Sequence, residues 1–177
     1  MRRSVMEWCD DMFWSAPVGT PPPVTTIPTT TTGSSPTTTG SGAAVTGSQI
    51  RTVQAPVYHF YLQNNGGVPA LGPEASSGKF TIGGTISLNN ADGSKLYLNL
   101  NNTATTSYKP LTFGTTATTT NWGLEGDTII TTNPRQLNFI ACSTSNSNFY
   151  DLFLQNGNDT PSGRSCSLQT IHLPCLC

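Results

Sequence analysis

Apolar and polar side chains alternate along much of the chain after Pro56, and this period of two constrains the fold more than any other feature of the sequence. Phe80 and Ile82 flank Thr81, and the stretch that starts at Leu137 repeats the pattern. No window shows the roughly 3.6-residue apolar spacing of an amphipathic helix, whereas alternation is typical of half-buried strands. The folded part of the chain is therefore predicted to be all-β.

The clearest hairpin is "TISLNNADGSKLYLNL", in which Asp92 and Gly93 can form a tight turn between two alternating runs. That register directs the apolar side chains inward: Ile86, Leu88, Leu96, Leu98 and Leu100. Further strands are expected at 111–114, 122–124, 128–132, 150–154 and 168–173.

About ten or eleven short strands separated by Gly, Asn and Pro fit a small β-trefoil-like barrel, with a β-sandwich as the alternative. A trefoil is built of three similar units, and "NWGLEGDTIITTNPRQLNFIAC" has the order expected of one. It places an aromatic residue, a turn, a short strand, a second turn and a long strand in succession. The rest of the domain matches this order only loosely, so both architectures stay open.

The tract "TPPPVTTIPTTTTGSSPTTTGSG", from Thr20 to Gly42, has no charge and no aromatic residue. Ordering a backbone costs roughly 1–2 kcal/mol per residue, which such a composition cannot offset. We expect a disordered stalk that is O-glycosylated, since Thr and Ser mixed with Pro is typical of mucin-like segments, with an unmodified linker as the alternative. The expected organisation is an N-terminal segment of uncertain status at 1–14, a Thr/Ser/Pro-rich linker at 15–56 and a β domain at 57–177.

Charged residues are 10% of the chain, and the net charge is −1. Typical soluble proteins have about 25% charged residues, so the polar surface here must consist mainly of neutral side chains. Without a basic cluster, nucleic acid is not expected as a partner. No apolar run reaches the about 18 residues of a membrane-spanning helix, so no membrane span is expected.

The neutral polar composition and the stalk predict an extracellular or cell-wall location. The opening "MRRSVMEWCDDMFWSAP" nevertheless contains Glu7, Asp10 and Asp11, which interrupt the apolar centre that a secretion signal needs. A functional signal peptide is therefore not expected in this chain, and we favour a start that lies upstream of Met1.

The chain has five cysteines: Cys9, Cys142, Cys166, Cys175 and Cys177. In an extracellular setting the last four are disulfide candidates. We expect Cys142 to pair with Cys166 or with Cys175. A zinc site made of Cys166, His172, Cys175 and Cys177 is not expected, because their spacing matches no usual ligand pair. No metal and no cofactor is predicted.

Asn101 and Asn158 each begin an Asn-x-Thr triplet in a polar stretch, and both are predicted N-glycosylation sites. About one such triplet arises by chance in a Thr-rich chain of this length, so the prediction is consistent with secretion without depending on it.

The most specific pattern in the chain is "LNFIACSTSNSNFYDLFLQNGNDTPSGRSCSLQTIHLPC". It resembles the C-terminal domain of the fungal cell-wall proteins with internal repeats, the Pir proteins. The elements that carry the resemblance are Cys142, Asn148-Phe149-Tyr150-Asp151-Leu152, Cys166, the apolar stretch from Leu168 to Leu173, and Cys175. The family's glucan-linked repeat is similar to "SQIRTVQA", which lacks the central Asp-Gly-Gln. The resemblance implies a structural wall component rather than a catalyst.

No catalytic residues are predicted. The two histidines, His59 and His172, are expected on the solvent faces of strands, and no serine lies in a G-x-S-x-G turn. Glu125 and Asp127 are two residues apart, but the glycine between them is typical of a turn rather than of a paired-carboxylate site.

Carbohydrate binding is the alternative to a purely structural role. Sugar rings stack on exposed aromatic side chains, and their hydroxyls pair with Asn, Asp and Gln. The candidate stacking residues are Tyr61, Tyr97, Tyr108 and Trp122. Burial of Trp122 in the core, with the tyrosines scattered singly, is the competing interpretation. The predicted partner is a cell-wall polysaccharide, either β-glucan or chitin.

Overall fold

The structure, a computed structural model, describes residues 44–174. The stalk and the cysteines Cys9, Cys175 and Cys177 lie outside these residues. Within this part the regular elements are strands and one short 3-10 helix at Glu74–Ser76, joined by turns and loops. The strands are β1 (Arg51–Thr52), β2 (Tyr61–Asn65), β3 (Val68–Gly72), β4 (Phe80–Ile82), β5 (Ile86–Asn89), β6 (Lys95–Leu100), β7 (Tyr108–Gly114), β8 (Trp122–Glu125), β9 (Thr128–Thr132), β10 (Arg135–Gln136), β11 (Phe139–Ser143), β12 (Tyr150–Gln155), β13 (Cys166–Gln169) and β14 (Ile171–His172).

These strands form one antiparallel sheet in the order β10-β9-β14-β1-β2-β3-β12-β7-β6-β5-β4, and the sheet curls into a nearly closed barrel. Outside this path β8 pairs with β9, and β11 lies between β12 and β13. The Ser48 amide donates to the Phe80 carbonyl at 2.9 Å and the Phe80 amide donates back at 2.7 Å, which links the β4 end of the sheet to the segment before β1. The prediction of an all-β, barrel-like domain is confirmed.

The core is built from the inward positions of these strands. Its fully buried large side chains include Phe80, Phe139, Leu62, Leu152 and Ile171. The predicted hairpin is present as β5 and β6, and Gly93 has the positive φ, 82°, that its turn requires. The expected inward side chains of this hairpin are buried or packed against the core: Ile86, Leu88, Leu96, Leu98 and Leu100.

Two boundaries differ from the sequence prediction. The sequence predicts a linker that extends through Pro56, but Ile50 is fully buried and β1 pairs with both β14 and β2. Partners distant in sequence stabilise this two-residue strand, which has no periodicity of its own. The single strand expected at 168–173 is divided into β13 and β14, because the chain leaves β11 as its partner and joins β1 and β9.

Candidate functional site

Two of the predicted stacking residues are buried. Trp122 is only 2% exposed, its indole N–H donates to the Leu98 carbonyl at 3.0 Å, and its ring stacks on Phe139. Tyr61 is 6% exposed. Neither can stack on a sugar from solvent, so these two assignments are wrong. The alternation shows that a side chain belongs to a strand, but it does not show whether other residues cover its outer face.

Tyr97 and Tyr108 are half-buried and point outward from β6 and β7. Tyr97 lies opposite Gly114, at the far end of β7 from Tyr108. At roughly 3.4 Å per residue the two tyrosines are about 20 Å apart along the strand. They therefore cannot form one stacking platform together.

Tyr108 lies beside a row of apolar side chains that crosses the outer face of the sheet. On this face Pro110 is directly opposite Phe153, Phe153 is opposite Ile140, and Ile140 is opposite Leu168. We call these four residues the outer apolar row. Because neighbouring strands are about 4.8 Å apart, the row is roughly 14 Å wide. Leu168 is 58% exposed, whereas Ile140 is 4% exposed.

Polar and aromatic groups flank the outer apolar row. The Tyr108 ring packs edge-on against Phe153, with 5.5 Å between ring centres. The Arg164 guanidinium lies 5.8 Å from the centre of the Phe153 ring and forms an ion pair with Asp151 at 2.8 Å. It also donates to the carbonyls of Ser143 and Cys142, at 2.6 and 2.8 Å. The row is therefore bordered by a fixed donor and a fixed acceptor.

A disulfide braces the same face. Cys142 and Cys166 are directly opposite each other on β11 and β13, two residues along the strands from Ile140 and Leu168, and they are bonded. This confirms the first of the two predicted pairings. Closing a loop with a sequence separation of 24 stabilises a fold by about 3 kcal/mol in the chain-entropy treatment.

Both predicted N-glycosylation residues are exposed. The Asn101 side-chain oxygen accepts hydrogen bonds from the amide and the hydroxyl of Thr103, at 3.0 and 2.7 Å. Asn158 lies in the turn between β12 and β13. Their accessibility is consistent with modification, which stays a prediction.

Glu125 and Asp127 lie on either side of the turn between β8 and β9, as the sequence predicts, with φ of 63° at Gly126. Arg135 holds the Glu125 carboxylate with two hydrogen bonds of 2.6 and 2.5 Å. The Arg135 hydrogen bond lowers the pKa of Glu125, and the pKa of Arg135 is raised in return. Glu125 is therefore held as a surface ion pair.

His172 lies in a short hydrogen-bonded chain that the sequence does not reveal. The Thr170 hydroxyl is 2.7 Å from Nε2 of the imidazole, and an Asp127 carboxylate oxygen is 3.3 Å from Nδ1. This order of groups is the one used to activate a hydroxyl nucleophile. Asp127 is, however, 57% exposed and beyond the about 3.2 Å expected of a close orienting contact.

Two depressions lie near the point where the described chain begins, and both are lined by Val45, Asn89, Asn90 and Ala91. Both are open to solvent rather than enclosed. Among residues 44–174 no group of three potential metal ligands is brought together. Within the same residues no helix is long and apolar enough to cross a membrane.

No family model, curated protein or solved structure matches this chain. The geometry of the sheet is therefore the basis for any functional interpretation. Its most distinctive outward feature on the side of β7, β12, β11 and β13 is the outer apolar row with its polar border.

Proposed function

We propose that the protein is a non-catalytic structural component of a fungal cell wall or extracellular matrix, with its β domain displayed on an O-glycosylated stalk. The observation that carries the proposal is that two carboxylates of the domain are held in ion pairs on its outer surface. Glu125 and Asp151 are each paired with an arginine on an open outer face, and neither lies in an enclosed cleft. The neutral polar composition and the Pir-like segment support the same role.

The position of the stalk in the sequence fits this role. The Thr-rich tract ends at Gly42, and the described fold begins at Ala44. Within four more residues Ser48 is hydrogen-bonded to Phe80 at the closure of the barrel. The tract therefore joins the domain, along the sequence, only a few residues before the hydrogen bonds that close the barrel.

Fractionation of the producing cells tests the location. An antibody to the β domain should detect the protein in the washed wall or matrix fraction, with release by hot detergent or by mild alkali. Release by detergent alone would exclude an ester link to glucan. Recovery of the protein only from the cytosol would contradict the proposed function.

An esterase assay tests the absence of catalysis. With p-nitrophenyl acetate, the wild type and the variants Thr170→Val and His172→Asn should all give the same background rate. A wild-type rate well above the buffer rate that both substitutions abolish would identify Thr170 and His172 as catalytic and would contradict the proposal.

Polysaccharide binding is the second candidate function, and the outer apolar row is the observation that favours it. Sugar rings present apolar C–H faces to flat apolar surfaces and direct their hydroxyls to the side. Here Tyr108 and the row offer the flat surface, and the ion-paired Arg164 and Asp151 offer hydrogen-bonding groups at its border.

A pull-down on insoluble β-1,3-glucan and chitin tests this binding with matched variants. Tyr108→Ala and Leu168→Asp should release the protein from the polysaccharide. Tyr97→Ala and Leu124→Asp should not, since Tyr97 is a similar half-buried tyrosine about 20 Å away and Leu124 is a 43% exposed strand leucine on β8. Equal loss in all four variants, or no binding by the wild type, would contradict this candidate.

A further inference from the structure

The three arginines of the described residues are not equivalent. Arg135 is paired with Glu125, and Arg164 is paired with Asp151. Arg51 forms no salt bridge within residues 44–174, and its Nε–H is buried without an acceptor. Arginines in such positions normally pair with a carboxylate or phosphate, which match the guanidinium geometry.

Both histidines of the chain lie beside Arg51. His172 on β14 is directly opposite Arg51 on β1, so the two side chains share the outer face of the sheet. On the other side, an Arg51 guanidinium nitrogen lies 3.5 Å from Nε2 of His59. We call Arg51, His59 and His172 the Arg51 cluster.

The position of His59 is imposed by its backbone. Among the described residues it is the one non-glycine residue with a positive φ, 59°. Non-glycine residues with positive φ are uncommon, although His adopts such angles more readily than most, and they cluster at functional sites. The His59 ring stacks on Tyr58 at 4.0 Å, and Tyr58 is 58% exposed. An exposed aromatic face therefore borders the cluster.

Three other side chains on this face contact His172 of the Arg51 cluster. Asp127 contacts His172 at 3.3 Å and offsets part of its charge when the imidazole is protonated. The hydroxyls of Thr128 and Thr170 lie 3.3 and 2.7 Å from the two imidazole nitrogens and can donate to a bound oxygen. Neither carboxylate that pairs with an arginine elsewhere in the domain forms a salt bridge with Arg51.

We infer that the Arg51 cluster binds an anionic group, a carboxylate or a phosphate, carried by a polysaccharide. The Arg51 guanidinium would hold the anion, and Tyr58 would stack on the sugar that carries it. The inference rests on the polysaccharide-binding proposal, because a glycan supplies both the anion and the ring. A nucleic acid is disfavoured, since the net charge is −1 and the cluster contains one arginine.

Affinity electrophoresis in gels that contain a soluble polysaccharide tests the inference. Polygalacturonate provides carboxylates, a phosphorylated mannan provides phosphates, and neutral laminarin provides neither. The wild type should be retarded by one or both anionic polymers. Arg51→Gln should weaken that retardation by at least about tenfold in dissociation constant, the effect of losing a charge-assisted hydrogen bond. His59→Asn should weaken it to a smaller extent.

Arg135→Gln is the matched control, since it removes the same charge from an arginine that already has a partner. It should bind anionic polymers as the wild type does, and thermal unfolding should show that every variant is folded. Equal loss in Arg51→Gln and Arg135→Gln would overturn the inference in favour of general charge attraction. If neither anionic polymer retards the protein, the inference is also overturned. Retardation by laminarin alone would overturn the inference and leave the polysaccharide-binding proposal intact.

Discussion

Two regions of the barrel's outer surface, which we call its two outer faces, differ in how their charged and apolar side chains are paired. The face of β7, β12, β11 and β13 has apolar partners across every strand, a disulfide, and an arginine that is paired with Asp151. On the face of β14, β1 and β2, Arg51 lies beside two histidines and itself forms no salt bridge among the described residues. The arginine of the first face has a carboxylate partner, whereas Arg51 on the second face has none among the described residues. One sheet therefore has both a paired and an unpaired arginine on its outer surface within the described residues.

The largest predicted effect on the free energy of unfolding comes from the disulfide of the first face. Replacing both cysteines, as Cys142→Ser with Cys166→Ser, should lower the free energy of unfolding by about 3 kcal/mol, because the unfolded chain is no longer constrained. Urea unfolding of the variant and of the oxidised wild type measures this. Reduced wild-type protein is the control and should match the variant. A loss below about 1 kcal/mol would show that the face does not depend on its disulfide.

Substitution of the two ion-paired arginines should lower the free energy of unfolding by different amounts, because one pair is partly buried and the other is exposed. Arg164→Gln removes an ion pair, two bonds to backbone carbonyls and the contact with Phe153. The expected cost is about 1–3 kcal/mol of unfolding free energy. Arg135→Gln removes a pair whose side chains are 54% and 46% exposed, and should cost much less, because water screens an exposed ion pair. Equal losses of unfolding free energy in the two variants would contradict this prediction.

On the other face, Arg51→Met should leave stability nearly unchanged. The substitution keeps most of the apolar stem and removes a guanidinium that forms no salt bridge within the described residues. We expect a change within about 0.5 kcal/mol in urea unfolding. A loss as large as that of Arg164→Gln would mean that Arg51 is structural, and the contrast between the faces would fail.

The smallest predicted effect lies in the turn between β5 and β6, away from both faces. The hydroxyl and the amide of Ser94 donate to Asp92 and hold its pKa below the ordinary value of 3.8. Their contribution to stability is present above that value and is lost as the pH falls through the lowered one. Ser94→Ala should raise the pKa of Asp92 toward its ordinary value in a carboxyl NMR titration. An unchanged titration would assign the shift to the backbone amide alone.

The sequence predicts what depends on neighbours along the chain. Alternation identifies the strands, Asp92 and Gly93 mark a turn, and Cys142 has Cys166 among its two candidate partners. Pairings distant in sequence could not be predicted in the same way. β1 exists because β2 and β14 flank it, and Trp122 is buried by a core that includes Phe139.

The outer apolar row was missed for a similar reason. Phe153 and Leu168 alternate with inward side chains, so local sequence places them on the outer face. Only the register of four strands shows that they align with Pro110 and Ile140. The Arg51 cluster likewise joins residues from β1, the β1–β2 turn and β14, and no single motif contains them.

Backbone NMR titration with defined oligosaccharides tests the central claim, that the two outer faces recognise different chemistry. β-1,3-Glucan oligomers should shift amides around Tyr108, Phe153 and Leu168, and oligogalacturonates should shift amides around Arg51, His59 and His172. Shifts by both ligands at one common site, or shifts confined to the depressions around Asn89 and Asn90, would contradict the account.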